Sequence, residues 1–176
     1  MAIKQIQSAM RMFGITAAAL LAACSPVDAA QETPAAPVEQ APPQSARHPI
    51  SDLRIIEVSV IRGDQRIAFK TELADTNEAQ RKGLMFRTEL ADDEAMLFPS
   101  EPPMGRSFWM KNTPIPLDII FIGVDGRITN IAAMTVPYSL DSVFSTGLTS
   151  GVLEIRGGLA DELGIVAGDK VEWELP

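Results

Sequence analysis

The sequence has very few of the residues that carry nucleophilic or metal-dependent catalysis. It contains a single cysteine, Cys24, and a single histidine, His48, among 176 residues. Because both precede the segment that can form a core, we exclude Cys-His and Ser-His-Asp nucleophilic sites and histidine-based zinc sites in that segment. Neither common form of glycine-rich phosphate-binding loop is present. We therefore predict no cofactor and no metal site.

Positive charge is scarce as well. The chain has 15 lysine and arginine residues against 23 aspartate and glutamate residues, which gives a formal net charge of −8 at pH 7. No stripe of basic residues stands out along the sequence. We therefore predict no nucleic-acid partner and no electrostatic binding to anionic lipid.

The one long apolar run has the layout of a secretory signal. Lys4 and Arg11 form a basic start, and the apolar run over residues 12–23 is too short to span a bilayer comfortably. The run ends in Leu-Ala-Ala-Cys at 21–24, which resembles the bacterial lipobox. In such signals a peptidase cuts before the cysteine, whose thiol carries a diacylglycerol. We predict a lipoprotein signal peptide over residues 1–23 and a membrane anchor through a lipid on Cys24.

This signal predicts an exported lipoprotein on the periplasmic side of the outer membrane. Ser25 rather than aspartate follows the cysteine, which resembles the outer-membrane sorting pattern. In the alternative, cleavage near Ala29 removes Cys24 and leaves a soluble periplasmic protein. We favour the lipoprotein, because a single cysteine in an exported protein cannot form an internal disulfide and this one stands where a lipid acceptor is required.

Residues 24–50 are rich in proline, alanine and glutamine and poor in large apolar side chains. Such a segment cannot bury enough surface to offset its ordering entropy, so we predict a disordered tether with His48 as a solvated residue. Residues 51–176 are long enough for one domain with its own core.

The pattern of this domain predicts a mainly-β fold, a single compact sandwich or barrel with two short helices. Apolar residues alternate with polar ones over 67–73, and Asp-Gly at 125–126 separates two apolar runs as in a hairpin. Asp75 is predicted to begin the first helix and Gly83 to end it. The proline-rich stretch 99–103 is predicted to be a loop.

The segment 108–118 is the strongest candidate for a binding site. It places polar side chains among large apolar residues and two prolines, which force extended backbone at Thr113 and Ile115 and remove two backbone donors. In one interpretation the polar groups satisfy one another inside a stiff turn. In the other, a rigid wall presents them to a ligand. The candidate binding residues are Trp109, Lys111, Asn112, Thr113 and Asp118, together with Glu154 from a later strand.

Two of these candidates, Asp118 and Glu154, also allow a carboxylate-dependent hydrolase, provided that one of them lies near a second carboxylate in a cleft. The structural alternatives are ordinary. Glu154 fits the outward face of an alternating strand, and Asp118 fits a partner for Lys111 or a cap for backbone amides of the turn.

Several segments together resemble one family. They include Arg-Lys-Gly-Leu-Met at 81–85, Met-Leu-Phe at 96–98 and Phe-Trp-Met-Lys-Asn-Thr-Pro-Ile-Pro-Leu-Asp at 108–118. Over about residues 68–171 the chain resembles the uncharacterised prokaryotic family catalogued as domain of unknown function 192. The resemblance implies a compact β-sandwich-like fold, often behind a signal peptide, and no established activity or catalytic residues.

The function predicted from the sequence is that of a ligand- or partner-binding module in the bacterial envelope. The first alternative is a carboxylate-dependent hydrolase acting on a periplasmic or envelope substrate. The second is a passive structural or assembly protein, which predicts an exposed apolar patch rather than a pocket.

Overall fold

A computed structural model describes residues 46–176 of the chain. The signal segment, Cys24 and most of the tether lie outside the described residues. Within them the chain forms nine strands and two short helices. The elements are β1 (Ile55–Arg62), β2 (Gln65–Leu73), α1 (Asn77–Lys82), β3 (Glu94–Met104), β4 (Ser107–Phe108), β5 (Leu117–Gly123), β6 (Ile128–Ala132), β7 (Val143–Phe144), β8 (Thr149–Arg156), α2 (Leu159–Leu163) and β9 (Lys170–Trp173).

Seven of these strands form one mixed sheet in the order β6-β5-β8-β3-β2-β1-β9, and β4 pairs with β7 separately. All neighbours in the sheet are antiparallel except β2 and β3. This parallel pair needs a crossover, which residues 74–93 provide and which contains α1. The mainly-β prediction with two short helices is confirmed.

The two edges of the sheet meet at one end. The amide of Ile128 donates to the carbonyl of Asp169 at 2.9 Å, and the amide of Val171 donates to the carbonyl of Gly126 at 2.8 Å. These bonds join the start of β6 to β9, so the sheet curls into a partly closed barrel. The Asp-Gly hairpin predicted at 125–126 lies at this junction.

Alternating side chains place a hydrophobic cluster on each face of the sheet. On the interior strand β8, Leu153 and Ile155 pack into the cluster that also includes residues of α2. Val152 points to the opposite face, where it packs with Met96 and Phe98. Glu154 shares that second face, because strand side chains alternate with a period of two.

Three local expectations need correction. Helix α1 is capped by Thr76, whose hydroxyl accepts from the amide of Ala79, whereas the carboxylate of Asp75 pairs with Arg54. Strand β3 continues through the stretch 99–103 that we predicted as a loop, and its pairing with β8 shifts register there. His48 is buried, with 8 % of its surface exposed, rather than solvated.

None of the helices among residues 46–176 is long and apolar enough to cross a membrane.

Candidate functional site

A cavity of about 380 Å³ lies on the outer face of the sheet, beneath the turn that follows β4. The crossover with α1 forms one side, the turn at 109–113 forms another, and β8 forms part of the floor. We call this space the Glu154 cavity. Its lining includes five of the six predicted binding residues, which are Trp109, Lys111, Asn112, Thr113 and Glu154.

Glu154 is the only acidic residue among those that line the cavity. It is 5 % exposed and lies opposite Met96 of β3 and Ile119 of β5, which are both fully packed. In the described residues, every buried side-chain oxygen that is shielded from solvent has a hydrogen-bond partner. Burial alone raises the pKa of the Glu154 carboxyl to about 8, with no contribution from a neighbouring charge or donor. The carboxyl therefore faces the cavity rather than a protein partner.

The other two buried acidic side chains are fully partnered. Both oxygens of Glu72 accept from the guanidinium of Arg87, at 2.8 and 3.0 Å, and one also accepts from the hydroxyl of Ser51. His48 lies nearby, with Nδ1 at 3.6 Å from a Glu72 oxygen. This cluster attaches residues 46–51 to the domain and explains the burial of His48.

Asp118 lies outside the Glu154 cavity, and its carboxylate accepts hydrogen bonds from backbone amides. Its Oδ1 accepts from the amides of Met134 at 2.7 Å and Gly158 at 2.9 Å, and its Oδ2 accepts from the amide of Ala160 at 2.8 Å. Two of these three donors belong to the first turn of α2, whose amides have no partner within the helix. The carboxylate thus caps backbone amides and does not pair with Lys111.

Lys111 instead packs on an aromatic ring at the mouth of the cavity. Its ammonium lies 5.1 Å from the centroid of the Trp109 ring, which is a cation–π contact. Trp109 is 48 % exposed, so one part of the ring remains open to solvent. Neighbouring Thr113 is buried, and its hydroxyl donates to the carbonyl of Lys111 at 3.4 Å.

Three further cations line the cavity that sequence reasoning did not identify: Arg81, Lys82 and Arg106. Arg81 and Lys82 form the last turn of α1, where basic residues are common because they complement the helix dipole. Nothing in the sequence marks them as site residues. Arg106 lies in the two-residue connection between β3 and β4, and only the folded sheet brings it to the same space.

The walls of the cavity contain unusual backbone geometry. Of five non-glycine residues with positive φ in the described part of the chain, Asn112 lines the cavity, and Phe86 and Tyr138 are hydrogen-bonded to residues that line it. The amide of Phe86 donates to the carbonyl of Asn112 at 2.7 Å, and the amide of Tyr138 donates to that of Thr113 at 3.1 Å. Each such residue costs about 1–3 kcal/mol, and such residues concentrate at functional sites.

The arrangement does not supply the paired carboxylates of a hydrolase. Among the residues that line the cavity, Glu154 has no second acid beside it, and both oxygens of Asp118 are occupied by backbone amides. No three His, Cys, Asp or Glu side chains within residues 46–176 come together as a metal site would require.

The family known as domain of unknown function 192, described as an uncharacterized ACR, matches residues 58–173. This chain belongs to that family. The match covers all or most of every strand of the large sheet and every residue that lines the Glu154 cavity, so the site lies within the family domain. The family description assigns no activity, and no curated protein matches the chain.

Two solved structures are similar to this domain. A protein of unknown function from Novosphingobium aromaticivorans DSM 12444 is 55 % identical, with a TM-score of 0.72, and the match covers 74 % of this chain and 93 % of that one. A Sinorhizobium meliloti 1021 protein, whose name proposes a transcription regulator, is 34 % identical with a TM-score of 0.66. That match covers 69 % of this chain and 95 % of the Sinorhizobium chain.

Proposed function

We propose that this domain is a binding module that holds a small polar molecule in the Glu154 cavity. The observation that carries the proposal is the Glu154 carboxyl, which is buried on the interior strand β8 and has no hydrogen-bond or ion-pair partner among residues 46–176. Burying a carboxyl group without a hydrogen-bond partner costs free energy, and an apolar residue at this strand position avoids the cost. Retaining such a group is typical of sites where function opposes stability.

The backbone around the cavity supports the same proposal. The strained residues Phe86, Asn112 and Tyr138 are fixed by hydrogen bonds between neighbouring segments. Fixing these segments before a ligand arrives lowers the entropy lost on binding.

Binding fits the cavity better than hydrolysis, because no second carboxylate lines it. The assembly alternative has one observation in its favour. Large apolar side chains along the segment 134–148 between β6 and β8 are more than half exposed, namely Met134, Val136, Tyr138, Leu140, Phe144 and Leu148. We favour binding because a passive surface gives no reason to bury an unpartnered carboxyl.

Replacement of Glu154 tests the proposal without knowledge of the ligand. We expect Glu154→Leu to raise the free energy of unfolding by about 1–3 kcal/mol, because it removes an unpartnered buried polar group. Urea denaturation of the full-length chain at neutral pH measures this change. Asp118→Asn is the matched control and should lower stability by about 1–3 kcal/mol, because its amide nitrogen then faces backbone donors.

A loss of stability in both Glu154→Leu and Glu154→Gln would contradict the proposal, since Glu154 would then support the fold as Asp118 does. Glu154→Gln keeps the shape of the side chain, so it separates a packing defect in the leucine variant from a loss of polar interactions.

We also propose that the domain is exported and tethered by a lipid on Cys24 to the periplasmic side of the outer membrane. The support is in the sequence, namely the signal-like start and the lone cysteine at the end of its apolar run. A lipid anchor of this kind holds a protein to the bilayer through its buried methylenes.

A further inference from the structure

Four cations surround the Glu154 cavity, and none of them has a carboxylate partner within salt-bridge distance in the described part of the chain: Arg81, Lys82, Arg106 and Lys111. The chain as a whole has a net charge of −8, and most other described cations are ion-paired. An excess of unpaired positive charge at one cavity of an acidic protein favours a negatively charged ligand.

Arg106 is the most informative of these cations. Its Nη1 donates to the Gln80 side-chain carbonyl at 3.2 Å and to the Ser100 hydroxyl at 3.3 Å, and both acceptors are neutral. Its Nε and Nη2 donate to no described residue, so one edge of the guanidinium is free to donate to two oxygens of a carboxylate or phosphate. Burial lowers the pKa of Arg106, because no neighbouring carboxylate offsets the desolvation of its charge.

A protonated Glu154 and the four cations of the cavity can bind the same anionic ligand. The carboxyl of Glu154 is held neutral at pH 7 by burial, since its pKa is raised to about 8. A neutral carboxyl group donates one hydrogen bond and does not repel an anion. A cationic ligand, in contrast, would meet four positive side chains before it reached Glu154.

We propose that the ligand of this cavity is an oxyanion on a small polar carrier, with its carboxylate or phosphate oxygens on Arg106 and Lys111 and a hydroxyl or carbonyl oxygen on Glu154. This inference rests on the proposed binding function. It names the charge of the ligand and the residues that select it.

Four sugars with one ring and different charges test the proposal on the full-length chain. They are glucose, glucosamine, glucuronate and glucose 6-phosphate, which present a neutral group, an amine, a carboxylate and a phosphate. Trp109 lines the cavity, so its fluorescence reports binding, and Trp173→Phe removes the second tryptophan signal. We expect at least one of the two anions to bind about tenfold or more tightly than glucose and glucosamine. The tighter of the two identifies the preferred oxyanion.

Two charge-removing variants locate the selectivity. Arg106→Gln and Lys111→Gln should each bring the affinity for the anion close to that for glucose, and circular dichroism checks that both fold. Arg62→Gln makes the same charge change at an exposed arginine outside the cavity lining and should leave the affinity unchanged. Added salt should weaken anion binding in the parent chain, because it screens the attraction.

Equal affinity for all four sugars, or tighter binding of glucosamine, would overturn the proposal and leave the cavity as a binding site. Failure of both anions to bind would also overturn it. The Glu154 denaturation experiment does not depend on the ligand, so it judges the binding function separately.

Discussion

Glu72, Asp118 and Glu154 are all buried, yet the protein treats their charges differently. Glu72 forms an ion pair with Arg87, and Asp118 accepts hydrogen bonds from three backbone amides. Glu154 receives neither kind of support, so it minimises its cost by keeping a proton. Glu72 and Asp118 thus stabilise the fold, whereas Glu154 lowers its stability.

This difference makes the stability of the protein depend on pH in a specific window. The pKa of Glu154 is raised from an ordinary 4.5 to about 8 in the folded state. Between these values the folded state keeps a proton that the unfolded state has lost, so stability falls as pH rises. We expect Glu154 to contribute a loss of roughly 1 kcal/mol per pH unit within the window and no change below it.

Urea denaturation of the parent chain and of Glu154→Gln at a series of pH values measures the contribution of this one group. The difference in stability between the two proteins should grow in favour of the variant from about pH 5 to about pH 8 and then level off. Two parallel curves across that range would show that the carboxyl is ionised or partnered in the folded protein.

The residue pattern alone placed Glu154 on the correct face of its strand, but it could not show that this face is covered. Alternation in β8 separates Leu153 and Ile155 from Glu154, as a period of two requires. The cover comes from the crossover 74–93 and the connection 105–116, which are distant in sequence. For the same reason Arg106 gave no signal, because its position beside Glu154 depends on the whole sheet.

At the scale of elements, the turn at 109–116 is attached to the start of α2 by close backbone packing. The amide of Gly157 donates to the carbonyl of Pro116 at 3.0 Å. A Cβ atom on Gly157 would lie 2.8 Å from the Cβ and carbonyl carbon of Pro116, which is too close for any real contact. Residue 157 must therefore be glycine, because Pro116 leaves no room for a Cβ atom.

We expect Gly157→Ala to destabilise the domain by about 1–3 kcal/mol, because the backbone of the turn or of α2 must shift. The shift should also change the fluorescence of Trp109, which the same turn carries. Thermal denaturation and emission spectra measure the two effects. Gly105→Ala is the matched control, since nothing lies within 4 Å of its added Cβ and its φ is not positive. Equal melting temperatures for the two variants would mean that the contact with Pro116 yields without cost.

Elements with strong local patterns were predicted well, and those that depend on distant partners were not. The alternating strand β2 and the hairpin at 125–126 follow from adjacent residues. The end of α1 at Gly83 is similar, since a glycine there has positive φ. Strand β3 runs past the prolines because it pairs there with β8 only irregularly, a condition that tolerates missing donors. Asp75 does not cap the helix, because its carboxylate pairs instead with Arg54, which directly precedes β1.

At the scale of the whole molecule, the distribution of charge opposes the local charge of the cavity. The chain is acidic overall, whereas four of the five ionisable side chains that line the cavity are basic. Because the protein is acidic overall and the cavity carries basic side chains, an anion is attracted only at the mouth of the cavity. The family match extends over this same region, and neither it nor the two similar structures name a ligand.

The proposed lipid anchor belongs to this scale, because it concerns where the entire chain is held. We expect Cys24→Ser to move the protein from the membrane fraction to the soluble fraction of the cell envelope, since the serine cannot carry the thioether-linked lipid. Fractionation followed by immunoblotting measures the distribution. Ser25→Ala changes the neighbouring residue and should leave the protein with the membrane. Unchanged membrane association of Cys24→Ser would show that something other than a lipid on this residue holds the protein there.

The junction between β9 and the start of β6 has a consequence for how the chain acquires its structure. Strand β1 also pairs with β9, so the closed sheet joins residues 58–61 to residues 170–173. Contacts between such distant segments form slowly, because a long loop must close first. We therefore expect the pairing of β9 with β1 and with the start of β6 to be a late step in the folding of the domain.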